Sequence, residues 1–199
     1  ADKLFADPSL DPLAEAPAFV NAEGGFADAH AVLDGVRDLL SERWAEDAAL
    51  IGKLRAWLWA EGLFRSKLLD GKDGTHPDAA KFRDYFDYAE PIRTVPSHRA
   101  LAVLRGRTQE FLDAKLVLDE ELVPGQPTLA EGRIAVHLGW RHSKRPGDEL
   151  IRKTIAWTWK VKLSLSLERD LFSRLREEAE KVAIKVFSEN LRDLLLAAP

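Results

Sequence analysis

From Leu171 to Leu195 the chain sets apolar residues three and four apart: Leu171, Phe172, Leu175, Ala179, Val182, Ala183, Val186, Phe187, Leu191, Leu194 and Leu195. That spacing draws one face of an α-helix and cannot be mapped onto a strand, whose side chains alternate with a period of two. About 30 residues at 1.5 Å each span roughly 45 Å, longer than a usual globular helix, and such a helix reads as a strut joining parts of a bigger molecule. Ser166 is placed to cap its N-terminus, and Glu168 and Asp170 fall in its first turn, where negative charge is favoured. Ahead of it, Asp148 to Leu163 predicts a separate helix carrying Leu150, Ile151, Ile155, Trp157 and Trp159. The two tryptophans, two residues apart, point to different faces of that helix, and core packing is the expected role of most indoles in the chain.

Helical spacing also governs residues 28–61, where Ala31, Val32, Val36, Leu39, Leu40, Trp44, Ala48, Ile51, Leu54 and Leu58 share a face. Gly35 and Gly52 each cost up to about 1 kcal/mol relative to Ala, so a break near Ser41 to Asp47 or near Gly52 is expected, giving two helices or one bent one. Leu63 to Leu69, closed by the turn cluster at 70–74, predicts a short strand, and Phe111 to Leu118 a second that pairs with it. Pro77 starts a brief helix. Tyr85 to Tyr88 with Pro91 and Pro96 reads as a stiff connector, after which Ser97 caps a helix through Gln109. A helix near 129–139 and a basic turn to Gly147 follow. The expected fold is mainly α, an irregular multi-helix domain with a long C-terminal helix and a small two-stranded β element. Its parts are an acidic helical stretch (1–62), a small mixed α/β insert (63–129) and a helical stretch (130–199).

Composition narrows the chemistry. With no cysteine among the 199 residues, disulfides, thiolate metal sites and Cys nucleophiles are excluded. The 46% of hydrophobic residues suffices for a core without metals. No run approaches the roughly 18 apolar residues of a membrane span, and the first residues are no signal peptide, so a soluble, cytoplasmic protein is expected. Methionine is absent even at position 1, and Pro199 follows an apolar run; we read the chain as a piece of a longer one.

The formal charge of −4 is unevenly spread. Residues 1–62 hold five basic and twelve acidic side chains, net −7, whereas 91–107 hold four arginines and no acid. Residues 130–163 hold eight basic side chains against three acids, net +5. These two basic blocks are the hint of a polyanionic partner. In the first, Arg93, His98, Arg99, Arg105 and Arg107 are candidates for phosphate contact, with His98 and Arg99 in a helix first turn. In the second, Arg141, Lys144 and Arg145 lie in a loop beside Trp140 and suit a single strand. The competing reading pairs these cations with acids of the same chain. Phosphate-binding glycine motifs, H-E-x-x-H and G-x-S-x-G are absent. His137 and His142, five apart, do not stack on one helix face, and no metal or cofactor is expected. A catalytic role would rest on His98 beside Asp84 or Asp87; no enzyme is expected.

Certain segments are similar to a known family. Lys81-Phe82-Arg83-Asp84-Tyr85-Phe86 through Glu90-Pro91, then Pro96-Ser97-His98-Arg99-Ala100-Leu101-Ala102, resemble the bacterial transcription accessory proteins of the Tex family. So do Trp157-Thr158-Trp159-Lys160-Val161-Lys162-Leu163, the early stretch from Gly25-Phe26-Ala27-Asp28 to Glu42-Arg43 with Ala45-Glu46-Asp47-Ala48, and the ending with Val186-Phe187, Asn190-Leu191 and Leu194 to Pro199. The resemblance covers nearly the whole chain and is most specific at Pro96 to Leu101. It implies the central helical region of a multidomain protein that binds RNA or DNA, acts with the transcription machinery, and carries elsewhere an RNase-H-like domain, helix-hairpin-helix elements and an OB-fold. It brings no catalytic residues to these positions. The expectation is a helical scaffold that adds phosphate contacts; the alternative is a structural or protein-interaction module that touches no nucleic acid.

Overall fold

The computed structural model describes residues 1–196; Ala197-Ala198-Pro199, at the end of the resemblance, lie outside the described residues. In chain order the elements are α1 (Asp2–Ala6), α2 (Pro12–Glu15), α3 (Ala29–Ala45), α4 (Ala48–Glu61), β1 (Leu63–Leu68), α5 (Pro77–Ala80), β2 (Asp87–Pro91), α6 (Ser97–Thr108), β3 (Leu112–Val117), α7 (Leu129–His137), α8 (Asp148–Trp157) and α9 (Ser164–Leu196). A π-helical turn, Thr158–Leu163, lies between the last two. The chain is mainly α, as its periodicity predicts. It divides into two compact units, residues 1–54 with 120–167 and residues 55–119 with the segment from Glu168.

In the first unit, α3 starts at Asp28, whose carboxylate accepts the Ala31 N–H at 2.8 Å and so satisfies one orphan donor of the first turn. The expected break falls at Glu46-Asp47 and not at Gly52. Asp47 accepts the N–H groups of Ala49 and Leu50 at 2.9 and 3.0 Å, and this cap starts α4 afresh, while Gly52 is carried inside it. α3 packs against α8 and the π turn, and α7 against α8. Leu40, Ile134, Ile151 and Leu163 are buried there.

The second unit holds the sheet, which has three antiparallel strands in the order β2-β1-β3 where two were expected. β1 pairs with β3 from Leu63↔Val117 to Leu68↔Leu112, as predicted, and also with β2 from Leu63↔Pro91 to Lys67↔Asp87. The prolines that suggested a connector are compatible with pairing because β2 is an edge strand and Pro91 is its last residue, where a missing N–H removes no interior ladder bond. Phe64 and Ser66 are buried on one face. Phe64 meets Phe172 of α9 edge-on, ring centres 5.1 Å apart, and the Ser66 hydroxyl donates to the Tyr85 carbonyl at 2.6 Å. α6 lies against β3, with Gly106 so close that a Cβ there would stand 2.6 Å from Leu112.

Two helix starts differ from expectation. Ser97 is the first residue of α6 and makes no capping bond; the extended Pro96 occupies the cap position. Ser166 caps nothing either. Trp157, Thr158 and Ser164 all keep right-handed helical angles, so the backbone runs helically from α8 through the π turn into α9. The Ser166 hydroxyl donates instead to the carbonyls of Lys162 and Leu163 at 3.1 and 3.0 Å.

The 33 residues of α9 extend about 50 Å. Leu171, Phe172, Leu175 and Ala179 are buried, but from Val182 the same stripe is open: Phe187, Leu194 and Leu195 are each about two-thirds or more exposed. No helix among the described residues is long and apolar enough to cross a membrane.

Candidate nucleic-acid interface

The eight candidate residues divide by the partner each meets. On and before α6, Arg99 forms an ion pair with Glu90 of β2, which holds its guanidinium pKa above the ordinary value. Arg105 lies over the Phe82 ring at 5.8 Å. Arg107 lies 5.1 Å from the Phe172 ring centre and 3.6 Å from a Glu168 carboxylate oxygen. The other oxygen of Glu168 accepts the Leu116 N–H of β3 at 2.9 Å. Arg99 and Arg107 therefore tie α6 to the sheet and to α9. Arg93 and His98 are exposed and have no ion pair among the described residues.

The second cluster is built on a residue that sequence reading passed over. Asp148, the first residue of α8, is fully buried and accepts from four groups of the preceding loop. They are the Trp140 indole N–H at 3.0 Å, the Ser143 N–H at 2.7 Å, the Arg145 N–H at 2.9 Å and the Arg145 guanidinium at 2.8 Å. Burial opposes its charge, but the Arg145 guanidinium and the N–H groups of Ser143, Arg145 and Trp140 outweigh that and hold its carboxyl well below the usual carboxylate range. The same guanidinium also donates to the Arg141 carbonyl at 3.1 Å. Arg145 and the Trp140 indole N–H are therefore spent on holding the loop.

What the knot leaves outward is Arg141 and Lys144, both exposed and without an ion pair among the described residues. Lys144 has φ +60°, a left-handed conformation that costs an L residue energy unless its surroundings impose it. Its N–H donates to the His142 ring at 3.3 Å. A sequence signal for the knot existed: an acid in the first turn of a helix, three residues after an arginine and just past Pro146-Gly147.

His137 is satisfied within its own unit, 2.7 Å from Asp47 and 3.2 Å from the Lys53 ammonium. Across the chain, cations meet acids at many points, among them Arg55 with Asp170 at 2.7 Å and Arg152 with Glu149 at 2.8 Å. The two candidate clusters fall in different compact units. The structure thus brings together Arg141, Lys144 and Arg145 on one loop, neutralises Arg145, and leaves Arg93 and His98 each exposed in the other unit.

The whole chain aligns with Protein tex of Bordetella pertussis at 46% identity over 204 residues, covering 25% of that protein. It aligns with the Transcriptional accessory protein Tex of Neisseria gonorrhoeae at 42% over 199 residues, again 25% of the relative. A more distant match, 26% identical over 134 residues, covers 66% of this chain and 13% of the S1 RNA-binding domain-containing protein 1 of Pongo abelii. The chain spans about a quarter of the length of the bacterial relatives. Residues 7–187 match the family described as Tex central region-like. By that match and by its identity to the bacterial relatives along its whole length, the chain belongs to the Tex central region-like family.

Proposed function

We propose that the chain is a helical scaffold segment of a nucleic-acid-binding transcription accessory protein, cytoplasmic and without a catalytic role, and that it adds phosphate contacts to RNA or DNA bound by the longer protein. The observation that carries this reading is the Asp148 knot, which consumes Arg145 and leaves Arg141 and Lys144 unneutralised on a loop of defined shape. A fixed loop presents charge with little ordering cost on binding. The relative's name as a transcriptional accessory protein supports the setting, and the name of the more distant relative supports RNA as a ligand of the longer protein. The test is fluorescence anisotropy with labelled single-stranded RNA, single-stranded DNA and duplex DNA from about 50 to 200 mM salt. Arg141→Glu with Lys144→Glu is expected to weaken binding to every probe and to lower the salt slope by about 0.7 per lost contact on single strands. Unchanged affinity and slope would refute the phosphate role.

One observation favours a second reading, a module that packs only against protein. The apolar stripe of α9 from Val182 onward is exposed, including Phe187 at 67%, and contiguous exposed apolar surface marks protein contact. Under that reading no probe binds even at the lowest salt.

A further inference from the structure

At the junction of α8 and the π turn, Trp157, Trp159 and Lys160 line one cleft of about 480 Å³ with Arg152, Lys153 and Glu131. That volume lies in the range of small-molecule sites. In a regular α-helix, residues two apart point to opposite sides, and the sequence reading separates the two indoles on that ground. Both indoles nonetheless border this one cleft, which opens at the start of the π turn, and π turns recur at functional sites. Here the turn is supported by hydroxyls that donate back to the helix carbonyls. Thr154 bonds Leu150 at 2.8 Å, Thr158 bonds Thr154 at 2.7 Å and Ser164 bonds Lys160 at 3.2 Å. Such back-bonding bends helices.

The charges around the cleft are unevenly spent. Arg152 donates to Glu149 at 2.9 and 2.8 Å, and Lys153 stands 3.6 Å from the same carboxylate. Glu131 is turned inward as the capping-box partner of Thr128. Lys160 is exposed and has no ion pair among the described residues. Arg37 sits 4.4 Å from the Trp157 ring centre, yet 39% of Trp157 remains exposed. The cleft therefore offers flat aromatic surface beside a free ammonium group, the pairing that binds single strands by stacking the base and neutralising the phosphate.

We propose that this cleft is a stacking site for a nucleobase and its phosphate, with Trp157 and Trp159 contacting the base and Lys160 the phosphate. The ligand class rests on the nucleic-acid reading above; the residues are different ones. The intact 199-residue chain would be titrated with an oligouridylate of about ten nucleotides and with uridine monophosphate, following tryptophan emission at about 50 mM salt. Saturable quenching is expected. Quenching by the oligomer alone identifies a strand as the source, and quenching by both identifies a mononucleotide site; either supports the proposal. Trp159→Ala is expected to weaken binding about fivefold to hundredfold. Lys160→Glu, at an exposed position that leaves packing intact, is expected to weaken it and to lower the salt slope by about 0.7. No saturable quenching by either probe, or unchanged binding in Lys160→Glu, overturns the proposal. If Arg141→Glu with Lys144→Glu weakens binding and Lys160→Glu does not, the cleft falls and the loop reading stands; the opposite pattern retains the cleft and removes the loop.

Discussion

Replacing Asp148 with Asn tests whether the basic loop owes its shape to one buried carboxylate. The substitution keeps the side chain's volume, removes its charge and turns one acceptor oxygen into a donor that faces other donors. Left without a full partner are the Arg145 guanidinium and N–H groups that now stand 2.7 to 3.0 Å from the carboxylate. Breaking a buried ion pair costs about 3–5 kcal/mol. The Arg145 side chain is 36% exposed, so water takes up part of its charge, and the lower end, about 3 kcal/mol, is the expectation. That is a large share of the roughly 5–15 kcal/mol typical of a domain. Urea denaturation followed by far-ultraviolet circular dichroism reads it directly. With m near 1–3 kcal/mol/M, the midpoint falls by about 1–3 M. The pH dependence carries the sign. Because the folded-state pKa of Asp148 is depressed, its contribution is present above the ordinary carboxylate pKa of about 3.9 and is lost as pH falls below it toward the folded value. The gap between parent and variant should therefore close in acid. A midpoint shift below about 0.5 M at pH 7, or a gap that does not change with pH, would refute the reasoning.

Three further substitutions address the rest of the fold. Asp47→Ala removes the cap of α4 and the partner of His137, and should cost about 1–2 kcal/mol in the same unfolding assay. His137 first, with the N–H groups of Leu50 and Ala49, holds the Asp47 carboxyl below its ordinary value, so this loss should also shrink as pH falls below about 4. Phe172→Ala and Phe187→Ala compare the two ends of one helical stripe. The first deletes a buried ring packed edge-on against Phe64 and should cost about 3–5 kcal/mol, whereas the second, at an exposed ring, should stay within about 0.5 kcal/mol. Thermal denaturation of both variants separates them, and equal losses would mean that the distal stripe is covered.

Much of the local structure was legible before any coordinates. The three-and-four spacing of Val32, Val36, Leu40 and Trp44 predicts α3, but the cost of Gly35 and Gly52 left the break at either of two places, and the Asp47 cap that fixes it is a feature of the structure. The strands Leu63–Leu68 and Leu112–Val117 were readable to within a residue at their ends, the first because turn residues bound it and the second because its side chains alternate. The third strand was not, since Asp87–Pro91 ends in one proline and is followed by another at Pro96, and the free edge of β1 is what makes the pairing favourable. The π turn escaped for a related reason: Thr154, Thr158, Ser164 and Ser166 show their effect only when their hydroxyls meet particular carbonyls.

The candidate site divides along the same line. A count of charges found the basic loop, because composition is local. It could not tell that Arg145 is spent on Asp148 while Arg141 and Lys144 are not, since neutralisation depends on what approaches within a few ångströms. Nor could periodicity tell which part of the α9 stripe is buried. Spacing along a chain decides which residues share a face, a matter of backbone geometry repeated every few residues. Whether a face is covered, a charge neutralised or two indoles brought into one cleft is decided by the elements that fold against it, and those come from elsewhere in the chain.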